Sequence, residues 1–236
     1  MISTISHVRW DRTYRLIRSI YPPIDLFEDI ADPADWDLIA SAEAKTNPRV
    51  RDALGAIRLV PVEHRVAGPG ASWVMAPFCH VSRDRPSRFS DGSYGVYYAG
   101  DRFEVALHET IYHYERFMHA TEEEPAQADF RELVGSIDRE MHDIRNDDRF
   151  ANTLDANDYM ASQQLARRLR DHHSSNGIVY PSVRYRSGEA IAAFWPDVIS
   201  IPMQARHLCY RWNGVRVDAY LIYGNDNWTP FEPVDP

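Results

Sequence analysis

At 236 residues, 44% of them apolar and 12% aromatic, the chain is long enough to bury a core and too apolar to be disordered. A formal charge of -9 argues against wrapping duplex nucleic acid, which needs positive charge to displace counterions, and the two cysteines, Cys79 and Cys209, are too few for a disulfide framework or a thiolate-built zinc site. No stretch approaches the roughly 18 apolar residues of a membrane span, and residues 1–12 lack the apolar run of a secretory signal, so a cytoplasmic chain without membrane contact is expected.

In chain order, residues 13–17 predict a short strand, Pro22-Pro23 a turn, and 33–45 a helix. A second helix follows, with Asn47 as N-cap, Pro48 at its first position and Gly55 at its end. Ile57, Leu59 and Val62 suggest a strand near Pro61, then a loop through Gly68, Pro69 and Gly70. A polar loop with Gly92 and Gly95 leads into a strand over 96–99 and a helix capped by Asp101.

On that helix Phe103, Leu107, Thr110, Ile111, Tyr114 and Met118 recur at helical spacing and form an apolar stripe. Glu109 falls off the stripe, on the flank with Val105, Tyr112 and Arg116, where no packing role explains it and it is free to line a cleft. Beyond an acidic stretch, 133–144 predicts a strand, and 158–172 a helix with Ser162, Leu165, Ala166 and Leu169 facing inward. Strands are expected over 178–183, 190–195 and 198–201, and Asn213-Gly214 predicts a tight hairpin between 207–212 and 215–223. The pattern is that of an α+β protein, without internal repeats, read as a single domain over 1–236.

Three familiar chemistries fail on spacing. In His108-Glu109-Thr110-Ile111-Tyr112-His113 the histidines stand at i and i+5, about 140° apart on a helix, so they cannot close on one zinc ion. Glu109 and His113 do share a face, as a hydrogen-bonded i,i+4 pair or as the germ of a metal-dependent hydrolase. Neither a Gly-x-Ser-x-Gly elbow nor a Gly-rich phosphate loop occurs.

A fourth constellation lies in one loop, strand and helix: Ser87-Arg88-Phe89-Ser90-Asp91-Gly92, Gly95-Val96-Tyr97-Tyr98-Ala99, and Ala106-Leu107-His108-Glu109. Tyr14-Arg15 precedes it, and Ser162 and Gly177-Ile178-Val179-Tyr180-Pro181-Ser182-Val183-Arg184 follow. This ordered set resembles the RES family, with its Arg-Trp/Phe-Asn loop, Tyr-x-Ala strand, Ala-Leu-x-Glu helix, and later serine helix and Pro-Ser strand. Two departures stand out: Ser90 replaces the family's asparagine, and the segment from Arg15 to Arg88 is long, with a helical elaboration at about 20–56 that is read as a substrate-recognition or antitoxin-docking addition.

The resemblance implies an ADP-ribosyltransferase-like mixed β-sheet core with flanking helices, NAD as substrate without a metal, and a toxin of a RES/Xre-type toxin–antitoxin pair. The antitoxin partner is expected to carry a helix-turn-helix domain and any DNA contact. Glu109 becomes the catalytic carboxylate, Arg88 a fork for the pyrophosphate, and Tyr97 or Tyr98 a stacking face. Alignment on Ala99 selects Tyr97, whereas ungapped spacing from Glu109 selects Tyr98; as strand neighbours they face opposite sides. Arg15, His80, Ser162 and Ser182 are further candidate NAD contacts, with Ser162 and Ser182 equally explained by packing and by a strand end. Water as acceptor gives NAD hydrolysis, phosphate gives phosphorolysis, and a host protein gives ADP-ribosylation. A non-catalytic nucleotide- or protein-binding module is the competing class.

Overall fold

A computed structural model describes residues 3–20, 32–43, 55–173 and 175–233. Among these the chain runs β1 (Thr4–Arg18), α1 (Trp36–Glu43), α2 (Ala71–Cys79), β2 (Tyr97–Gly100), α3 (Phe103–Ala120), β3 (Ala126–Asp143), α4 (Met160–His173), β4 (Gly177–Pro181), β5 (Glu189–Ala193), β6 (Met203–Trp212), β7 (Val217–Ile222) and β8 (Thr229–Pro230). The strands form one eight-stranded sheet in the order β1-β2-β5-β4-β3-β6-β7-β8. Because β1 also pairs with β3, strands β1, β2, β5, β4 and β3 close into a ring, with β6 to β8 extending it. Pairing is antiparallel except between β3 and β4, which makes the sheet mixed and the class α+β, as the pattern of elements predicts.

Period-two alternation divides the side chains of β4 and β5 between two cores. Val179 and Ile191 pack with Val74, Met75 and Phe78 of α2, while Ile178, Ala190 and Ala192 pack with Leu165 and Leu169 of α4. The helix α3 buries Leu107, Ile111, Tyr114 and Met118 against Phe130, Leu208 and Tyr210. Each large aliphatic side chain so buried contributes about 1.5–3 kcal/mol, enough to fix the rotation of α3 about its axis. That rotation decides where Glu109 points. Val105, which the periodicity sets beside Glu109, is also buried, in the second core, so α3 is wedged between two cores rather than resting on one stripe.

Several predicted elements differ. Residues 57–62 form two 3-10 turns, Ile57–Leu59 and Val62–His64, not a strand. Ile57 and the residue that closes its turn, Val60, are buried three apart, the period of such a turn, and Pro61 has no N–H to give to a ladder. The loop at Gly70 opens into α2, whose residues are buried around most of its circumference and therefore show no stripe. The segment 198–201 follows a 3-10 turn, Pro196–Val198, and pairs only as an isolated Ile137↔Ile199 bridge.

Asp101 does not cap α3. Its Oδ1 accepts the Glu189 backbone N–H at 2.9 Å, and Arg102 occupies the cap position. The hairpin at Asn213-Gly214 exists, but its loop is longer than two residues. Only Gly214 has positive φ, at 94°, while Asn213 Oδ1 accepts the N–H groups of Val215 and Arg216, closing a side-chain turn. Strands β1 and β3 exceed their predicted lengths: the added residues of β1, Thr4–Arg12, run along the predicted part of β3, and the added residues of β3, Ala126–Glu132, pair with β6 and with the end of β1. The helix predicted over 33–45 is present as a turn capped by Asp32 followed by α1. Pro22-Pro23 and the helix starting at Asn47 lie outside the described residues, and so does most of the elaboration at 20–56.

Candidate functional site

A cavity of about 270 Å³ opens where β1, β2, the loop at Ser87 and Arg88, and α3 meet. Close packing of backbone on side chain sets its floor. A Cβ at Gly100 would lie 2.6 Å from Val105 Cβ, and one at Gly188 would lie 2.2 Å from Val105 Cγ2. Any side chain at either glycine would therefore push the first turn of α3, and Glu109 with it, away from β2.

Glu109 lines the cavity with its side chain 27% exposed. Burial pushes its carboxyl above the usual carboxylate range, and the positive charges of Arg88 and Arg184 act in the opposite direction. His113 lines the same wall, its Nε2 3.9 Å from Glu109 Oε2. That separation is too long for a hydrogen bond, so the expected i,i+4 hydrogen-bonded pair is not formed. The imidazole is pushed down to about 4 by burial and then by Arg116, Arg184 and Arg88, so it is neutral near pH 7 and the contact is not an ion pair. Among the described residues no group of three His, Cys, Asp or Glu side chains is placed to hold a metal, so a hydrolase built on Glu109 and His113 lacks its remaining ligands.

Arg88 is buried and reaches the cavity from its loop. Its Nη1 donates to the carbonyls of Thr153, at 3.2 Å, and Asp155, at 2.7 Å, and its guanidinium lies 4.8 Å from the centre of the Tyr159 ring. The loop is gripped by α4: Ser162 Oγ lies 2.5 Å from the Arg88 carbonyl, and Gln163 Nε2 donates to the Ser87 carbonyl at 2.9 Å. Ser162 therefore meets the Arg88 backbone instead of lining the cavity. Ser90 folds the loop on itself, bonding the Tyr94 carbonyl and accepting the Gly92 N–H.

The two tyrosines separate as strand alternation requires. Tyr98 lines the cavity, and its hydroxyl bonds Ser87 Oγ and accepts the Phe89 N–H, both at 2.9 Å. Burial pushes this phenol up to about 12. Tyr97 points into the core around α2, fully buried, and its hydroxyl has no hydrogen-bond partner among the described residues. Arg15 lines the cavity from β1, with its guanidinium 4.7 Å from the centre of the Tyr97 ring and Nη1 donating to the Tyr98 carbonyl at 3.0 Å.

Two predicted contacts lie elsewhere. His80 is exposed at the end of α2, outside the cavity lining. Ser182 is buried, and its Oγ accepts the Tyr185 N–H, so it closes the 182–188 turn rather than meeting the cavity. Conversely, Tyr14, Ser87, Tyr159 and Tyr180 line the wall without having been singled out. Arg184 flanks it, stacked 3.5 Å from the centre of the Tyr112 ring and donating to the Ala156 carbonyl. The sequence offered one signal for it, its place two residues beyond Ser182.

A family model describing the RES domain matches residues 62–213, a span that includes Arg88, Tyr98, Glu109, Ser162 and Arg184. Uncharacterized protein y4oC of Sinorhizobium fredii is 27% identical over 222 residues, covering 92% of this chain and 89% of the relative. No helix among the described residues is long and apolar enough to cross a membrane.

Proposed function

Because this chain belongs to the RES family, we propose that it is the toxin of a toxin–antitoxin pair and that its cavity binds NAD and breaks the nicotinamide–ribose bond. The observation that carries the reading is Glu109: a carboxyl held partly out of water, in one cavity with Arg15, Arg88 and the face of Tyr98. A carboxylate in that position stabilises the oxocarbenium character of the ribose as the C1′–N bond breaks and its electron pair leaves with nicotinamide. The acceptor oxygen then bonds C1′, and its proton passes to Glu109, whose burial favours the protonated form.

Arg88 supplies charge for the diphosphate, while Arg15, over the Tyr97 ring and bonded to the Tyr98 carbonyl, braces β1 against β2 at the cavity wall. Tyr98 acts through its ring, against the cationic pyridine, because its hydroxyl is already engaged by Ser87 and Phe89. None of these roles calls for a metal. Water, phosphate or a protein side chain serves as acceptor, in the cytoplasm, and a partner antitoxin with a helix-turn-helix domain restrains the activity and carries any DNA contact.

Purified protein incubated with NAD should release nicotinamide, and Glu109→Gln should abolish the release while remaining folded. Mass spectrometry of lysate proteins for added ADP-ribose separates transfer from hydrolysis. Absence of nicotinamide release, with and without lysate, overturns the proposal.

A further inference from the structure

The cavity is small for a dinucleotide. Its volume of about 270 Å³ falls below the roughly 300–1,000 Å³ of sites that enclose a drug-sized ligand, and NAD is larger than most such ligands. It suits one half of the molecule. At the flank of Glu109, meanwhile, two guanidiniums converge on one segment of chain: Arg88 donates to the carbonyls of Thr153 and Asp155, and Arg184 to that of Ala156.

Like charges brought together this way repel unless an anion is shared between them. Their hydrogen-bond partners among the described residues are main-chain carbonyls, which hold the guanidiniums in place, and the carboxyls that feel both charges are Glu109 and Asp155. Arg184 Nε, moreover, is buried and has no hydrogen-bond partner among the described residues. The stacking on Tyr112 fixes the plane of that guanidinium. On α3, Tyr112 lies about 60° around the axis from Glu109, on the side away from Ala106, Thr110 and His113, which places Arg184 at the cavity's edge.

Resting on the NAD-cleaving reading above, we infer that recognition ends at the first phosphate: the cavity takes the nicotinamide riboside, Arg184 joins Arg88 on the attached 5′-phosphate, and the adenosine end stays outside. Nicotinamide mononucleotide is then a substrate in its own right, and Arg184 is the residue that distinguishes it from the unphosphorylated riboside.

The test compares nicotinamide release from NAD, nicotinamide mononucleotide and nicotinamide riboside by the full chain and by its Arg184→Gln and Arg184→Lys variants. The expected kcat/KM for the mononucleotide is within about tenfold of that for NAD, with the riboside at least about 100-fold lower. Arg184→Gln should raise KM for both phosphorylated substrates by about 10- to 100-fold and change riboside cleavage by less than about threefold, with Arg184→Lys intermediate.

A mononucleotide cleaved no better than the riboside, while NAD is cleaved, overturns the inference, because the adenosine end is then being read. Equal losses on all three substrates in Arg184→Gln also overturn it, because Arg184 then merely braces the segment at Ala156. Failure to cleave NAD at all is a different result, which removes the underlying function.

Discussion

Replacing Tyr98 by phenylalanine removes a single oxygen that serves two partners. The hydroxyl accepts the Phe89 N–H and bonds Ser87 Oγ, both at 2.9 Å. Phe89 is completely buried, so its N–H is left without water or a substitute acceptor, which costs about 1–3 kcal/mol. Ser87 is only half-buried and its hydroxyl can turn to solvent, so it adds little. For a chain of this length the loss corresponds to a Tm lower by roughly 3–10 °C. The neighbouring change Tyr97→Phe is the internal control. That hydroxyl is buried without a partner among the described residues, so its removal leaves stability unchanged or slightly raised, and the ring under Arg15 remains. Thermal and urea melts of the two variants read this contrast directly. If the proposed NAD cleavage holds, loosening the loop that carries Arg88 while the Tyr98 ring stays should raise KM for NAD in Tyr98→Phe more than it lowers kcat. Equal destabilisation by the two variants, or a larger loss in Tyr97→Phe, would refute the assignment of Tyr98 to the loop and Tyr97 to the core.

Two further predictions concern titration. Burial raises the pKa of Glu109 in the folded chain, so ionisation opposes folding: the penalty is absent below the unfolded value near 4.5 and grows as pH rises past it. Glu109→Gln should therefore melt at a higher temperature than the parent protein at pH 7, with the gap closing at about pH 4; a variant less stable at neutral pH contradicts this. His113 is depressed from 6.5 to about 4, so it stays neutral in the folded chain while the unfolded chain binds a proton, and stability is lost as pH falls from about 6.5 towards 4. NMR titration of the His113 ring should show a midpoint well below 6, and a midpoint at or above 6.5 would show that neither burial nor the neighbouring arginines govern it.

What the sequence made legible was local. Glu109 stood out because the period of one helix sets it off the apolar stripe, and α3 is long enough for that period to repeat. The choice between Tyr97 and Tyr98 was not legible, since alternation says only that they part, and which side holds the cavity depends on α2 covering the other face. That helix left no stripe, because it is buried around most of its circumference. His80 was misplaced for the same reason, being read without knowing that a helix ends there. Arg184 and Tyr159 reach the site through contacts with the Ala156 carbonyl and with Arg88, more than 25 residues distant in each case, which no local pattern encodes.

Several arginines of this acidic chain are paired with carboxylates, and those around the cavity are held differently, a contrast that bears on function more than the net charge does. Arg145 is paired with Asp143 and Glu189, Arg206 with Glu132, Arg167 with Asp91 and Arg65 with Asp37, so their charge is spent within the fold. Around the cavity the partners change. Arg15 is held by the carbonyl of Tyr98, Arg88 by those of Thr153 and Asp155, and Arg184 by that of Ala156. A carbonyl fixes a guanidinium in position without cancelling its charge, whereas a carboxylate does both. Such a wall remains positive inside a chain of net charge -9, and its low-dielectric surroundings focus the field into the opening. Holding those like charges close together costs stability, part of which an anionic ligand returns on binding. The one carboxyl left in the cavity, Glu109, is itself strained by burial, so the fold holds both signs of charge at the point where a cationic pyridine on an anionic diphosphate would enter.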